Sequence, residues 1–186
     1  MKIIPLHSQT QQLIADAIQQ KREAQQTLFE LYSPKMLGVC RQYVKDVHHA
    51  EELMLSGFLK VFSHLSKFKN EGSFEGWIRR IMVNTCISYL RKKHPIQLTD
   101  NDYVFNDEAV LNRESTEVED IQKLIDGLPM GYKMVFNLYA IEGYKHAEIA
   151  KELGITESTS KSQLFKARKY LQAQYLKMNK TVHGDK

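Results

Sequence analysis

Residues 142–171 read EGYKHAEIAKELGITESTSKSQLFKARKYL, and the rest of the chain can be understood outward from them. Ile149, Ala150 and Leu153 recur at the spacing of one helical face. Gly154 supplies the residue a helix needs to stop, and the short hydroxyl of Thr156 can cap a second helix. The pattern is a helix-turn-helix. In the second helix Leu164, Ala167 and Leu171 share one face at i, i+3 and i+7. Ser158, Lys161, Ser162, Phe165, Lys166 and Lys169 share another. A basic, hydroxyl-bearing outer face suits a DNA major groove, because cations neutralise phosphates while Lys and Ser also reach base edges. The competing reading of the same residues is a surface hairpin whose lysine-rich face is simply solvated.

The chain has 186 residues and a hydrophobic fraction of 42%, enough for one large domain or two small ones. Its longest apolar run falls far short of the roughly 20 residues of a membrane span. The start, MKIIPLHSQTQQ, lacks the apolar core of a signal peptide. A cytoplasmic protein with no membrane insertion of its own is the expectation. Cys40 and Cys86 each sit among apolar residues at helical spacing, which favours reduced core thiols over a disulfide or metal site. No CxxC or HExxH occurs, and His48–His49 beside Glu51 and Glu52 reads as a solvated first helical turn rather than a ligand set. No metal or cofactor is expected.

Charge is unevenly spread. Lys and Arg against Asp and Glu number 14 against 8 in residues 1–98, 2 against 9 in 99–126, and 10 against 5 in 127–186, giving +6, −7 and +5. Two basic blocks flank an acidic one, and both basic blocks read as helical. A short helix from about Gln9 to Gln20 carries Leu13, Ile14, Ala17 and Ile18. The next has the stripe Leu28, Leu31, Tyr32, Met36, Val39, Cys40 and Tyr43, with Pro34 expected to kink it or restart it after Ser33. Asp46 can cap a third helix, ending near Leu65, whose inner stripe is Ala50, Leu53, Met54, Gly57, Phe58, Val61 and Phe62. The loop SKFKNEGS precedes a fourth helix with Phe74, Trp77, Ile78, Ile81, Met82, Thr85 and Tyr89 inward. Trp77 reads as core and Asn84 as facing away from its stripe, while Phe68 fits either core or surface. Residues from His94 to about Thr116 lack a sustained period and read as an extended linker, either a passive tether or a segment with a specific role. Helices return over 118–127 and 129–141, Pro129 suiting a first turn.

These segments together resemble the extracytoplasmic-function sigma factors, the short two-domain class of the sigma-70 family, nearly end to end. Ala50-Glu51-Glu52-Leu53 and Phe58-Leu59-Lys60-Val61-Phe62 resemble the family's core-polymerase-binding helix. Phe74 to Ile81, Asn84, and Tyr89-Leu90-Arg91-Lys92 are similar to the segment that melts and reads the minus-ten element. Leu128-Pro129, Val135-Phe136, Glu142-Gly143, Glu148-Ile149-Ala150, Thr159, Lys161-Ser162 and Ala167-Arg168 resemble the minus-thirty-five-binding domain. Departures exist: Glu52, Leu55 and Ser56 replace the usual Asp, Gln and acidic residue. Ser158 and Ser160 stand where a Gly and an apolar residue are usual, so a looser start to the recognition helix is expected.

The resemblance implies an all-α fold of two small helical domains: a sigma region 2-like bundle at 1–94, an acidic linker at 95–116, a sigma region 4-like helix-turn-helix at 117–178 and a tail at 179–186. It implies a non-enzymatic factor that binds RNA polymerase core, through a coiled coil of the largest subunit, and directs it to promoter DNA, with an anti-sigma factor as a further partner. The recognition helix would read DNA with Ser158, Thr159, Lys161, Ser162, Phe165, Lys166 and Lys169. Phe68, Lys69, Asn70, Arg79, Arg80 and Asn84 would serve the minus-ten element, where an unstacked base needs apolar walls and polar edges. Glu51, Glu52, Leu55, Ser56 and Leu59 would face polymerase. Leu55 and Leu59 alternatively pack against the first helix or the linker. Two other classes compete: an ordinary helix-turn-helix regulator with an N-terminal sensing or dimerisation domain, and an enzyme. For the enzyme no carboxylate pair, nucleophile–base pair or phosphate loop emerges.

Overall fold

A computed structural model describes residues 6–93 and 117–183, with side chains over 9–93 and 120–178. Among the described residues the regular structure is entirely helical. The chain divides into two compact units, Met1–Tyr89 and Leu90–Lys186, the boundary falling in the last turns of a helix. The expected linker at 95–116 lies outside the described residues.

In the first unit, α1 (Leu6–Ile18), α2 (Arg22–Tyr43), α3 (Val47–Ser63) and α4 (Phe74–Lys93) follow in order. Most of their stripes meet as the periodicity predicts: Leu28, Met36, Val39, Cys40 and Tyr43 of α2 are buried with Ala50, Leu53, Met54, Phe58 and Val61 of α3, whereas Leu31 of the expected α2 stripe and Ile18 of α1 are exposed, at the edge of the apolar face where no neighbouring helix covers them. Cys40 and Cys86 are buried free thiols. Pro34 lies inside α2 without ending it. Its ring cannot donate to the preceding turn, but it sits on the exposed side, and the packed residues before and after it hold one continuous helix. Asp46 caps α3 by accepting the His49 N–H at 2.9 Å. That N–H, with the His49 ring, holds its carboxyl below the usual carboxylate range. Gly57 gives room to a neighbour: a Cβ there would lie 2.2 Å from the Met82 sulfur, so a larger residue would require the Met82 side chain to move.

In the second unit, α5 (Glu117–Asp126), α6 (Met130–Phe136), α7 (His146–Leu153) and α8 (Glu157–His183) surround Leu128, Tyr132, Ala167 and Tyr170. The helix expected over 129–141 does not stay α. Asn137–Ile141 is a π-helical turn, closed by the Glu142 N–H donating to the Asn137 carbonyl at 3.0 Å. Gly154 ends α7 at φ 69°, with the Ile155 N–H on the Ala150 carbonyl at 3.0 Å. Thr156 caps α8 by accepting the Thr159 N–H at 3.0 Å. α8 runs to His183, so the helix continues into the tail.

Periodicity gave no sign of an ion pair inside this unit. Lys133 Nζ lies 2.6 Å from Asp126 Oδ1, with side chains 6% and 4% exposed, and Gln122 also donates to that oxygen. Removing one partner strands a buried charge, which costs about 3–5 kcal/mol. Asp126→Ala should therefore unfold the second unit well below the wild-type melting temperature, whereas replacing both residues by apolar ones of similar volume should recover most of the loss; thermal melts of the two variants check this.

Candidate polymerase and promoter interfaces

Three faces carry the residues singled out from the sequence. On α8 the inner side is closed: Ser160 and Ala167 have no accessible surface, and Leu164 and Tyr170 are buried. Helical period then turns Ser158, Lys161, Phe165 and Lys169 outward, where all four are exposed, with Ser162 and Lys166 half-buried at the flanks. Phe165 is 60% exposed, and Lys169 Nζ lies 4.9 Å from its ring centroid, so cation and apolar surface form one patch. Thr159 is half-buried, and its hydroxyl is 2.8 Å from that of Thr156, which makes it part of the cap more than of the outer face. Ser162 Oγ donates to the Thr159 carbonyl at 3.0 Å. The start of α8 is not loosened by Ser160, because that hydroxyl pairs with His146 Nδ1 at 2.8 Å across the two helices. Glu148, one of the residues that carry the family resemblance, is structural: its carboxylate accepts the Lys145 N–H at 2.8 Å and caps α7.

The second face lies at the start of α4. Ser73 Oγ accepts the Gly76 N–H at 3.0 Å and opens that helix. Phe68 meets Phe74 at 5.1 Å and Trp77 at 5.5 Å between centroids, Phe74 stacks on Trp77 at 5.8 Å, and Tyr32 meets Phe74 edge-on at 5.5 Å. The two possibilities for Phe68 thus merge, since it is half-buried in this cluster and also lines a cavity of about 370 Å³ with Ile14, Tyr32, Asn70, Gly72 and Phe74. Asn70 at φ 57° and Gly72 at φ 94° turn the loop around it. Burial, with the Glu75 carboxylate nearby, pushes the Tyr32 phenol above its usual value.

One expectation for α4 needs correction. Trp77 is half-buried, not core, and it lies on the same side as Asn84, which is exposed and off the buried stripe as expected. Seven residues are nearly two full turns, which puts Asn84 within about 20° of Trp77 on the same side of the helix. The buried residues of this helix include Phe74, Ile78, Met82, Val83, Thr85, Cys86 and Ile87. Asn84, Lys69 and Arg80 are exposed, while Arg79 is half-buried.

The third face is the outer side of α3. Glu51 and Glu52 are exposed, Ser56 is half-buried, and Leu55 and Leu59 are 50% and 73% exposed at i and i+4. The first helix therefore does not cover the two leucines, and the linker alternative falls on residues outside those described.

Family models match both units: "Sigma-70 region 2" over residues 28–95 and "Sigma-70, region 4" over residues 118–171. SigZ of Bacillus subtilis is 30% identical over 128 residues, covering 67% of this chain and 72% of that protein. The chain belongs to the sigma-70 family. Its place in the extracytoplasmic-function class follows from relatives such as SigW of Bacillus subtilis, 26% identical over 87% of this chain and 96% of that protein. The sigma-H factor of Pseudomonas aeruginosa is 26% identical over 86% of this chain and 90% of its own length. The sigma factor RpoE of Bartonella quintana, solved with its anti-sigma factor NepR, shares the fold at a TM-score of 0.52 and 21% identity, over 81% of this chain and 95% of that one. The chain is a sigma factor that binds RNA polymerase core and directs promoter-specific initiation; the reading as an ordinary helix-turn-helix regulator is set aside. Among the described residues no helix is long and apolar enough to cross a membrane.

Leu59→Asp separates a docking face from an interior one. On a surface this open the substitution should shift the stability of the isolated protein by no more than about 0.5 kcal/mol. Affinity for core polymerase, measured by fluorescence titration, should fall by about 2 kcal/mol or more.

Proposed function

We propose that the three faces divide the work of promoter recognition. The carrying observation is the two-sidedness of α8, closed by Ser160, Leu164, Ala167 and Tyr170 and open at Ser158, Lys161, Phe165 and Lys169. The open side docks in the major groove of the minus-thirty-five element, with Lys161, Lys166 and Lys169 on phosphates or guanine edges, and Ser158, Ser162 and Phe165 against bases. Thr159 supports this surface from the cap.

The aromatic-walled cavity beside Phe68 holds an unstacked base of the minus-ten element, with Asn70 at its polar edge. Lys69, Arg79 and Arg80 supply positive charge for the single strand, and Asn84 offers donor and acceptor to a base edge on the side of α4 that carries Trp77. The acid-flanked leucine pair Leu55 and Leu59, with Glu51, Glu52 and Ser56, receives a basic, partly apolar helix of the largest polymerase subunit. The segments 1–94, 95–116, 117–178 and 179–186 act as region 2, linker, region 4 and tail. The factor works in the cytoplasm without catalytic chemistry of its own. An anti-sigma factor is its further partner, as NepR is for the Bartonella protein.

Two measurements test the DNA assignments. Lys161→Ala and Lys166→Ala should each weaken promoter binding by the holoenzyme and flatten the logarithmic salt dependence by about one unit, because each removes a neutralised phosphate. Unchanged slopes in both variants would remove α8 from the interface. Asn84→Ala and Phe68→Ala should lower permanganate reactivity of the melted promoter strand while leaving core binding intact. Normal opening in both would place the base-holding site elsewhere.

A further inference from the structure

The inner side of α8 is not wholly apolar, since Ser160 and Gln163 are buried there beside Leu164, Ala167 and Tyr170. Ser160 has no accessible surface at all. A buried hydroxyl needs a partner, because leaving it unpaired forfeits its hydration without return. The partner is His146 Nδ1, 2.8 Å away in the first turn of α7. The His146 ring in turn stacks on Tyr139 of the π-helical turn, centroids 4.7 Å apart and planes 24° from parallel. Arg168 lies over the Tyr139 ring at 5.6 Å. The chain of contacts Ser160–His146–Tyr139–Arg168 therefore leaves α8 and returns to it about two turns later, passing through α7 and the π-helical turn.

Apolar contacts fix which side of α8 turns inward but, carrying no direction, leave its finer rotation unspecified. A hydrogen bond to a ring that is itself held by stacking does carry one. We infer that His146 is a positioning residue for promoter recognition: through Ser160 it sets the rotation of α8, and with it where Ser158, Lys161 and Ser162 point. This rests on α8 being the DNA-facing helix. The sequence around His146 gives no hint of the role, because the two partners are fourteen residues apart and lie on different helices.

The same surroundings make the latch sensitive to acid. Burial, then the positive charge of Lys161 and of Arg168, depress the His146 imidazole below its ordinary 6.5, with Glu157 opposing them. The folded protein thus takes up a proton less readily than the unfolded chain. Stability from the neutral ring is complete above the unfolded value and is lost as pH falls below it. A protonated ring still donates to the Ser160 oxygen, but it faces Lys161 and Arg168 with like charge.

The test is a cycle on the full chain. His146→Ala and Ser160→Ala should each lower the melting temperature by about 4–8 °C, since each strands the other's polar atom. The double variant His146→Ala with Ser160→Ala should lose much less than the sum of the two singles, and the apolar pair His146→Leu with Ser160→Val should recover most of the loss and melt with less dependence on pH. On the holoenzyme and a promoter fragment mapped by run-off transcription, wild type should lose affinity several-fold between about pH 7.5 and about pH 5.5. His146→Gln, which keeps a hydrogen-bonding group but does not titrate, should bind with a flatter pH profile. Additive single effects in the cycle, or equal acid sensitivity in wild type and His146→Gln, would overturn the inference. If the coupling is found but Lys161→Ala leaves promoter affinity unchanged, the DNA-facing assignment of α8 is what fails, and the role of His146 in recognition falls with it.

Discussion

Closing the inner side of α8 is the constraint from which the C-terminal unit follows. Ala167 has no accessible surface and packs with Leu128, Tyr132 and Tyr170. The fit tolerates nothing extra: a Cβ at Gly127 would come within 2.9 Å of the Tyr170 hydroxyl. Because side chains repeat every 3.6 residues, a helix pinned this way shows one side to solvent, and the His146–Ser160 bond is left to set its finer rotation. What it shows is Ser158, Lys161, Phe165 and Lys169. The remaining elements serve that pinning. α6 carries Tyr132 and the buried Lys133, the π-helical turn brings Tyr139 against His146, and α7 brings His146 to Ser160.

The N-terminal unit solves a related problem with two faces instead of one. α3 buries Ala50, Leu53, Met54, Phe58 and Val61 and leaves Leu55 and Leu59 outside, although leucine would ordinarily be expected within. An i, i+4 leucine pair beside carboxylates is costly surface for a monomer and useful surface for a sigma factor, whose working state is a complex. At the start of α4 the aromatic rings do two things at once. Phe68, Phe74 and Trp77 support one another, and part of the same cluster walls the cavity with Tyr32. The proposed base-holding role would gain from rings already fixed by their neighbours, since less side-chain ordering would remain to be done on binding.

The electrostatic pattern of the chain fits this division. Basic residues concentrate in the two blocks that contain the proposed DNA faces, and the acidic block lies between them. The buried Lys133–Asp126 pair stands apart from this pattern, because charges taken out of water in a matched pair contribute to the internal geometry of the unit and little to its external field.

The sequence by itself determined most of the helices, the caps at Asp46, Thr156 and Gly154, most of the buried stripes and the family resemblance, because hydrophobic period and capping chemistry are local and can be read within a few residues. It also determined the basic outer side of α8, which follows from the position of Ala167 and Leu164 alone. Tertiary structure decided what depends on residues distant along the chain: the pairing of Lys133 with Asp126, the bond from His146 to Ser160, the open leucines of α3 and the cavity between α1, α2 and the loop before α4. It also replaced the expected core tryptophan with a half-buried one. The physical reason is one of range. A repeat of 3.6 residues states which side of a helix is apolar, but directional contacts such as hydrogen bonds, ring stacking and buried ion pairs are specified only when two separate segments have been brought to within a few ångströms of each other.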